Sequence, residues 1–140
     1  MEQKLILIVD DDEAVNSSLA SLLASEAMVI RIASTVEEAE RLLMTEVFDL
    51  AIVDLSLTGR VGREGLDLIS RIKRRTPETQ VVLLTGYGSP EIEREARQRG
   101  AVEYWEKTIP ITTLIERLRA LGLPVRQEGS SNGCAAFNGG

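Results

Sequence analysis

Histidine is missing from all 140 residues, and cysteine occurs once, at Cys134. These absences remove much chemistry. No Ser-His-Asp triad can be assembled, no zinc can be held by imidazole, and one thiol makes neither an internal disulfide nor a thiolate metal cluster. Any metal held by this chain is held by oxygen, which favours magnesium, calcium or manganese. Aromatic residues are scarce at 4%, and Trp105 is the only tryptophan. No apolar run approaches the roughly 18 residues of a membrane span, and the N-terminus lacks a signal-peptide pattern. With the lone thiol in a polar segment, the expectation is a reducing, cytoplasmic setting and no membrane partner. Positive charge is also in deficit. The 16 Lys and Arg against 22 Asp and Glu give a net charge of −6, which argues against direct nucleic-acid binding. The one basic run, Arg71-Ile72-Lys73-Arg74-Arg75, reads as the solvated end of a helix, where cations favour the dipole.

Apolar residues make up 44% of the chain, enough for the core of one domain. Strand-like and helix-like patterns alternate five times, the signature of an α/β fold with a parallel sheet and right-handed crossovers. Leu5 to Val9 is a continuous apolar strand, followed by Val15, Leu19, Leu22 and Leu23 at helical spacing. Met28 to Ala33 reads as a second strand, and Val36, Ala39, Leu42 and Leu43 share one face of the next helix. A third strand, Phe48 to Asp54, leads to a helix that begins near Gly65, buries Leu66, Ile69 and Ile72, and stops before Pro77. Val81 to Thr85 is the fourth strand. The helix after it, Pro90 to Arg99, has only Ile92 and Ala96 as apolar anchors, so it should dock shallowly and shift easily. Val102 to Glu106 is a short fifth strand, and Leu114, Ile115, Leu118 and Leu121 form the inner face of the last helix. The domain is thus placed at residues 1–123. Residues 124–140, rich in Gly, Ser and Asn, are expected to be a disordered tail: a linker remnant, a native end or appended sequence.

Chemistry collects where the strands end. Asp10, Asp11 and Asp12 follow the first, Asp54 ends the third, Thr85 the fourth, and Lys107 follows the fifth. In a parallel α/β sheet those carboxyl ends open onto one edge, where ligands bind. An acid before a helix is often only a cap, and one of the three aspartates serves that purpose. Three adjacent carboxylates repel one another, however, and a cation explains their clustering better. Carboxylates gather a hard cation, while a lysine and a hydroxyl hold anionic oxygens. The set suits phosphate handled with magnesium.

Four stretches then carry a family resemblance: Leu5 to Asp12 (LILIVDDD), Asp49 to Leu55 (DLAIVDL), Leu83 to Ser89 (LLTGYGS) and Gly100 to Lys107 (GAVEYWEK). In order and spacing the chain resembles a response-regulator receiver domain of two-component signalling, over about residues 4–121. The resemblance implies a doubly wound (βα)5 three-layer sandwich whose parallel strands run in the order 2-1-3-4-5. It implies that Asp54 is the phosphoacceptor, taking a phosphoryl group from a phosphohistidine on a sensor histidine kinase or phosphotransfer protein. Asp11, Asp54 and the backbone carbonyl of Ser56 would bind Mg2+ directly, with Mn2+ or Ca2+ able to substitute, and Asp10 would act through water. Thr85 is similar to the family's switch hydroxyl, Lys107 to its phosphate-binding lysine and Tyr104 to its switch aromatic. Phosphorylation would alter the face made by the fourth helix, fifth strand and fifth helix, for an output domain, an effector protein or a second copy. Such a domain is not a conventional enzyme, although it promotes its own phosphorylation and dephosphorylation.

Three features depart from the family's pattern. The loop after Asp54 is longer and brings Gly59, Arg60, Gly62 and Arg63 near the site. Thr58 stands where that loop usually has proline, and Thr108 follows Lys107 where proline is usual, often after a cis bond. A cis bond to a non-proline residue costs roughly 2.5–4 kcal/mol. The expectation is therefore a trans Lys107–Thr108 peptide, with Pro110 redirecting the chain and the lysine still close to Asp54. Two other readings compete. A haloacid-dehalogenase-type phosphatase would use Asp10 as nucleophile and Asp12 as acid/base, but it leaves Asp54 unexplained and needs further acids after the lysine. A receiver-like module that works without phosphorylation would usually have lost an acid or the lysine, and all are present here.

Overall fold

Residues 3–25, 27–55, 64–86 and 88–125, those described by the computed structural model, alternate strand and helix along their length. The strands are β1 (Lys4–Val9), β2 (Met28–Ala33), β3 (Leu50–Asp54), β4 (Gln80–Thr85) and β5 (Glu103–Glu106). The helices are α1 (Glu13–Leu23), α2 (Val36–Thr45), α3 (Glu64–Arg75), α4 (Pro90–Arg99) and α5 (Ile111–Ala120). All strand pairs are parallel, in the order β2-β1-β3-β4-β5 that the resemblance implies. A parallel sheet covered on both faces needs strands that are apolar on both faces. Ile6 to Val9, Leu50 to Asp54 and Val81 to Thr85 are accordingly buried throughout, and they occupy the middle of the sheet.

Strand alternation divides this interior in two. Leu7, Val9, Ala51, Val53, Val81 and Leu83 pack with α2, α3 and α4. Ile6, Ile8, Leu50, Ile52, Val82 and Leu84 pack with α1 and α5. The helices start where polar side chains can satisfy free N–H groups. Asp12, Thr35 and Ser89 accept from the N–H groups of Ala14, Glu38 and Ile92. Pro90 occupies the first turn of α4, and Gly100 closes it at φ 118°, a left-handed conformation suited to glycine.

α4 is anchored as its composition implies, by buried Ala96 and half-buried Ile92. Its far end has a polar tie that the apolar pattern could not reveal. Arg99 pairs with Glu95 at 2.9 Å and reaches Asp67 at 3.0 Å and Ser70 at 3.2 Å on α3. Val125 is only 4% exposed and joins the α1/α5 side of the core, so packing continues two residues past the expected limit of 123. Leu123 and Val125 flank Pro124, and the Val125 N–H donates to the Leu123 carbonyl at 2.9 Å, a tight turn after which both side chains are buried. Residues 126–140, including Cys134, lie outside the described residues. Among the described residues, no helix is long and apolar enough to cross a membrane.

Candidate functional site

Val9 lies opposite Val53 in the sheet, so the chain beyond β1 and the end of β3 emerge side by side. Asp10 and Asp54 therefore meet at the sheet edge, 2% and 6% exposed. The turn after β1 is tied by its own side chains. Asp10 Oδ1 accepts from the Asp12 N–H at 2.9 Å, and Asp12 Oδ1 accepts from the Ala14 N–H at 2.9 Å to cap α1. Capping occupies Asp12, and exposed Asp11 is left to face the site. Carboxylate oxygens of Asp10, Asp11 and Asp54 all lie within 4.8 Å of one another.

Lys107 arrives from the other side of the sheet. Its N–H donates to the Thr85 carbonyl at 2.9 Å, and the Ile109 N–H donates to the Glu106 carbonyl at 2.9 Å, closing the turn after β5. The Lys107–Thr108 peptide is trans, and Pro110 leads into α5. Lys107 Nζ stands 3.0 Å from Asp10 Oδ2 and 3.4 Å from Asp54 Oδ1. A proline-free turn thus delivers the lysine to Asp54, as the sequence led one to expect, and also to Asp10, a contact the sequence did not announce. Thr85, 2% exposed, ends β4. Tyr104 lies one strand over, opposite Leu83. A methyl group on Gly88 would overlap the Tyr104 hydroxyl and come within 3.1 Å of Thr85 Cγ2, so ring, glycine and threonine form one contact group. Ser56, Thr58, Gly59, Arg60, Gly62 and Arg63 lie outside the described residues.

The acids are held at an electrostatic cost. Burial, and then the charge of Asp10, push the Asp54 carboxyl up to about 7. Burial also raises Asp10 above the ordinary carboxylate range, against the pull of the Asp12 N–H and Lys107. Burial disfavours the Lys107 ammonium as well, but Asp54 and Asp10 outweigh it and hold its pKa above the ordinary lysine value. Among the described residues, Lys107 is the one cation paired with this cluster of three carboxylates, and the buried Asp10 Oδ2 has no partner beyond it. These are the properties of an oxygen-donor set suited to a hard cation.

Two residues of the site escaped the sequence reading. Gly65, expected only as a helix start, donates its N–H to the Leu55 carbonyl at 2.9 Å. A methyl group there would overlap the Asp54 carbonyl oxygen and sit 2.8 Å from Leu55 Cα. Asn16 donates from Nδ2 to the Asp10 carbonyl at 2.8 Å and is only 5% exposed. Its signal was present: position 16 shares the inner face of α1 with Leu19 and Leu23, where an amide is out of place.

A fold of this strand order, with acids, a hydroxyl and a lysine gathered on one sheet edge, defines a doubly wound α/β class with its polar site at the carboxyl ends of the strands. The chain belongs to the response regulator receiver domain family, which it matches over residues 6–119. It is 32% identical over 142 residues to the alginate biosynthesis transcriptional regulatory protein AlgB of Pseudomonas aeruginosa, covering 91% of this chain. The chain spans only 31% of the length of AlgB. Among solved structures it is similar to a CheY-like response regulator receiver domain protein from Methanospirillum hungatei JF-1. That match has a TM-score of 0.77 and 30% identity, covering 85% of this chain and 93% of the other. A response regulator from Burkholderia pseudomallei, solved with a phosphorylated aspartic acid, a calcium ion and citrate, gives a TM-score of 0.72 at 28% identity. That match covers 84% of this chain and 72% of the other.

Proposed function

We propose that this receiver domain accepts a phosphoryl group on Asp54 from the phosphohistidine of a sensor histidine kinase or phosphotransfer protein. The observation that carries the reading is the convergence of Asp10, Asp11 and Asp54 on one another and on Lys107. Asp11, Asp54 and the Ser56 backbone carbonyl would hold Mg2+, with Asp10 acting through water; Mn2+ or Ca2+ can replace it. When bound, the cation screens repulsion between carboxylate and phosphoryl oxygens and spreads the developing charge.

An Asp54 oxygen attacks phosphorus, the P–N bond of phosphohistidine breaks, and the imidazole leaves with that electron pair and takes up a proton. The protein's part is positioning and electrostatics. Lys107 neutralises a phosphoryl oxygen as a point charge. The Thr85 hydroxyl donates to the new acyl phosphate, and Tyr104, already in contact with Thr85 and Gly88, repacks with it. Strand β5 and helices α4 and α5 then present a changed face, a population shift biased by the phosphoryl group. Its reader is an output domain, an effector protein or a second copy, in the cytoplasm. Hydrolysis of the acyl phosphate at the same site resets the switch. The calcium ion and phosphorylated aspartic acid of the Burkholderia pseudomallei relative support this reading.

Intact-mass measurement after treatment with acetyl phosphate tests it. Wild type should gain one phosphoryl group with Mg2+ and none with a chelator, and Asp54→Asn should gain none. Equal labelling of the two proteins removes Asp54 as acceptor and reopens the phosphatase reading. No labelling of wild type leaves the phosphorylation-independent module. A second expectation concerns the cation. Asp11→Ala should weaken Mg2+ binding at least tenfold with the fold intact, because an exposed carboxylate is removed and like-charge repulsion is relieved. Calorimetry that gives an unchanged affinity excludes Asp11 as a ligand.

A further inference from the structure

Asp11 is the least supported member of the acid cluster. Among the described residues it makes no hydrogen bond or ion pair, and it is exposed. The direction of its carboxylate therefore depends on the backbone that carries it. That backbone is fixed one residue earlier. The Asp10 N–H donates to the Ala33 carbonyl at 3.1 Å, and the Asp10 carbonyl accepts from Asn16 Nδ2 at 2.8 Å. The Asp10 carbonyl and the Asp11 N–H belong to one planar peptide unit. Whatever holds that oxygen fixes the plane from which the Asp11 Cα, and so its carboxylate, departs.

Asn16 is a costly residue for a purely structural place. It sits on the apolar face of α1, and among the described residues its buried Oδ1 finds no hydrogen-bond partner. An unsatisfied buried acceptor is destabilising, and an apolar side chain would avoid it. Among the described residues the amide makes one hydrogen bond, and that bond reaches the acid turn.

We propose that Asn16 is the positioning residue of the acid pocket: its bond to the Asp10 carbonyl aims Asp11 and thereby sets the affinity for a divalent cation. The inference rests on the receiver reading and adds to it a residue that touches neither cation nor phosphoryl group. Asn16→Ala removes the donor and keeps a strong helix former, and Asn16→Gln retains a donor on a longer arm. Mg2+ alone is the probe, titrated by calorimetry into metal-free protein, with thermal unfolding in chelator as the measure of folding.

Asn16→Ala should bind Mg2+ five- to tenfold more weakly with a melting temperature within a few degrees of wild type. Labelling by acetyl phosphate should show a raised half-saturating Mg2+ concentration and an unchanged limiting rate, and Asn16→Gln should recover part of the affinity. Wild-type Mg2+ affinity in Asn16→Ala overturns the inference and leaves the receiver reading intact. Equal weakening by Ala and Gln overturns it too, because the effect would then come from packing. A wild-type protein that neither binds Mg2+ nor takes up a phosphoryl group overturns both.

Discussion

Asp54→Asn should raise the stability of the metal-free protein by roughly 2–4 kcal/mol at pH 8, although it deletes the proposed acceptor. The folded protein holds the Asp54 carboxyl at about 7, through burial first and the charge of Asp10 second, against 3.8 ordinarily. Between those two values the folded state binds more protons than the unfolded chain. Unfolding free energy therefore falls as pH rises through that window, and the deficit is complete above pH 7. The gap between 3.8 and about 7, at 1.36 kcal/mol per pH unit, sets a ceiling of about 4 kcal/mol. Asp10 is raised in the same direction, so wild type gains from both acids on acidification. The raised Lys107 keeps its proton across this range and does not alter the slope. Urea unfolding at pH 8 and pH 5, in chelator, should give a large difference between the proteins at the first and a small one at the second. Millimolar Mg2+ should narrow the gap at pH 8 by stabilising wild type. A variant no more stable than wild type at pH 8 would show that the acid pocket is not strained.

Gly65→Ala should destabilise the protein by about 2–3 kcal/mol and slow phosphorylation more than tenfold. The usual sign in a helix is the opposite, since alanine is favoured over glycine by up to about 1 kcal/mol. Gly65 does not have positive φ, so no backbone preference for glycine exists at this position. The penalty is steric. The added methyl would overlap the Asp54 carbonyl oxygen and press on Leu55 Cα, and backbone cannot rotate aside as a side chain does. Relief requires α3 to retreat from β3 or the Asp54 peptide to turn, and either displaces the acceptor from Lys107. Denaturant unfolding and acetyl phosphate labelling measure both effects. A stabilised variant with wild-type labelling would mean the helix start does not bear on Asp54.

Much of this was readable in the chain because it is a property of short segments. An apolar run such as Val81 to Leu84 announces a central strand, and acids at strand ends announce the site edge. Asp10, Asp11, Asp54 and Lys107 were legible for that reason, and so was the trans junction at Thr108, which follows from the cost of the alternative. What escaped depends on two segments meeting. Gly65 looks like a helix start until Asp54 is placed against it. Asn16 looks like a polar interruption until the Asp10 carbonyl is above it. Val125 was assigned to the tail because the Gly- and Ser-rich composition beyond it outweighed a single apolar residue.

The division of the interior by the sheet has a consequence for how such a chain can diversify. Val53 belongs to the compartment of α2, α3 and α4, and Ile52, its neighbour, to that of α1 and α5. The two compartments are insulated by backbone, so side chains on one flank can drift without forcing compensations on the other. Asp54 crowns the partition between them. A lineage can thus remodel one flank while inheriting the other, and the side chains along the rim, unchanged.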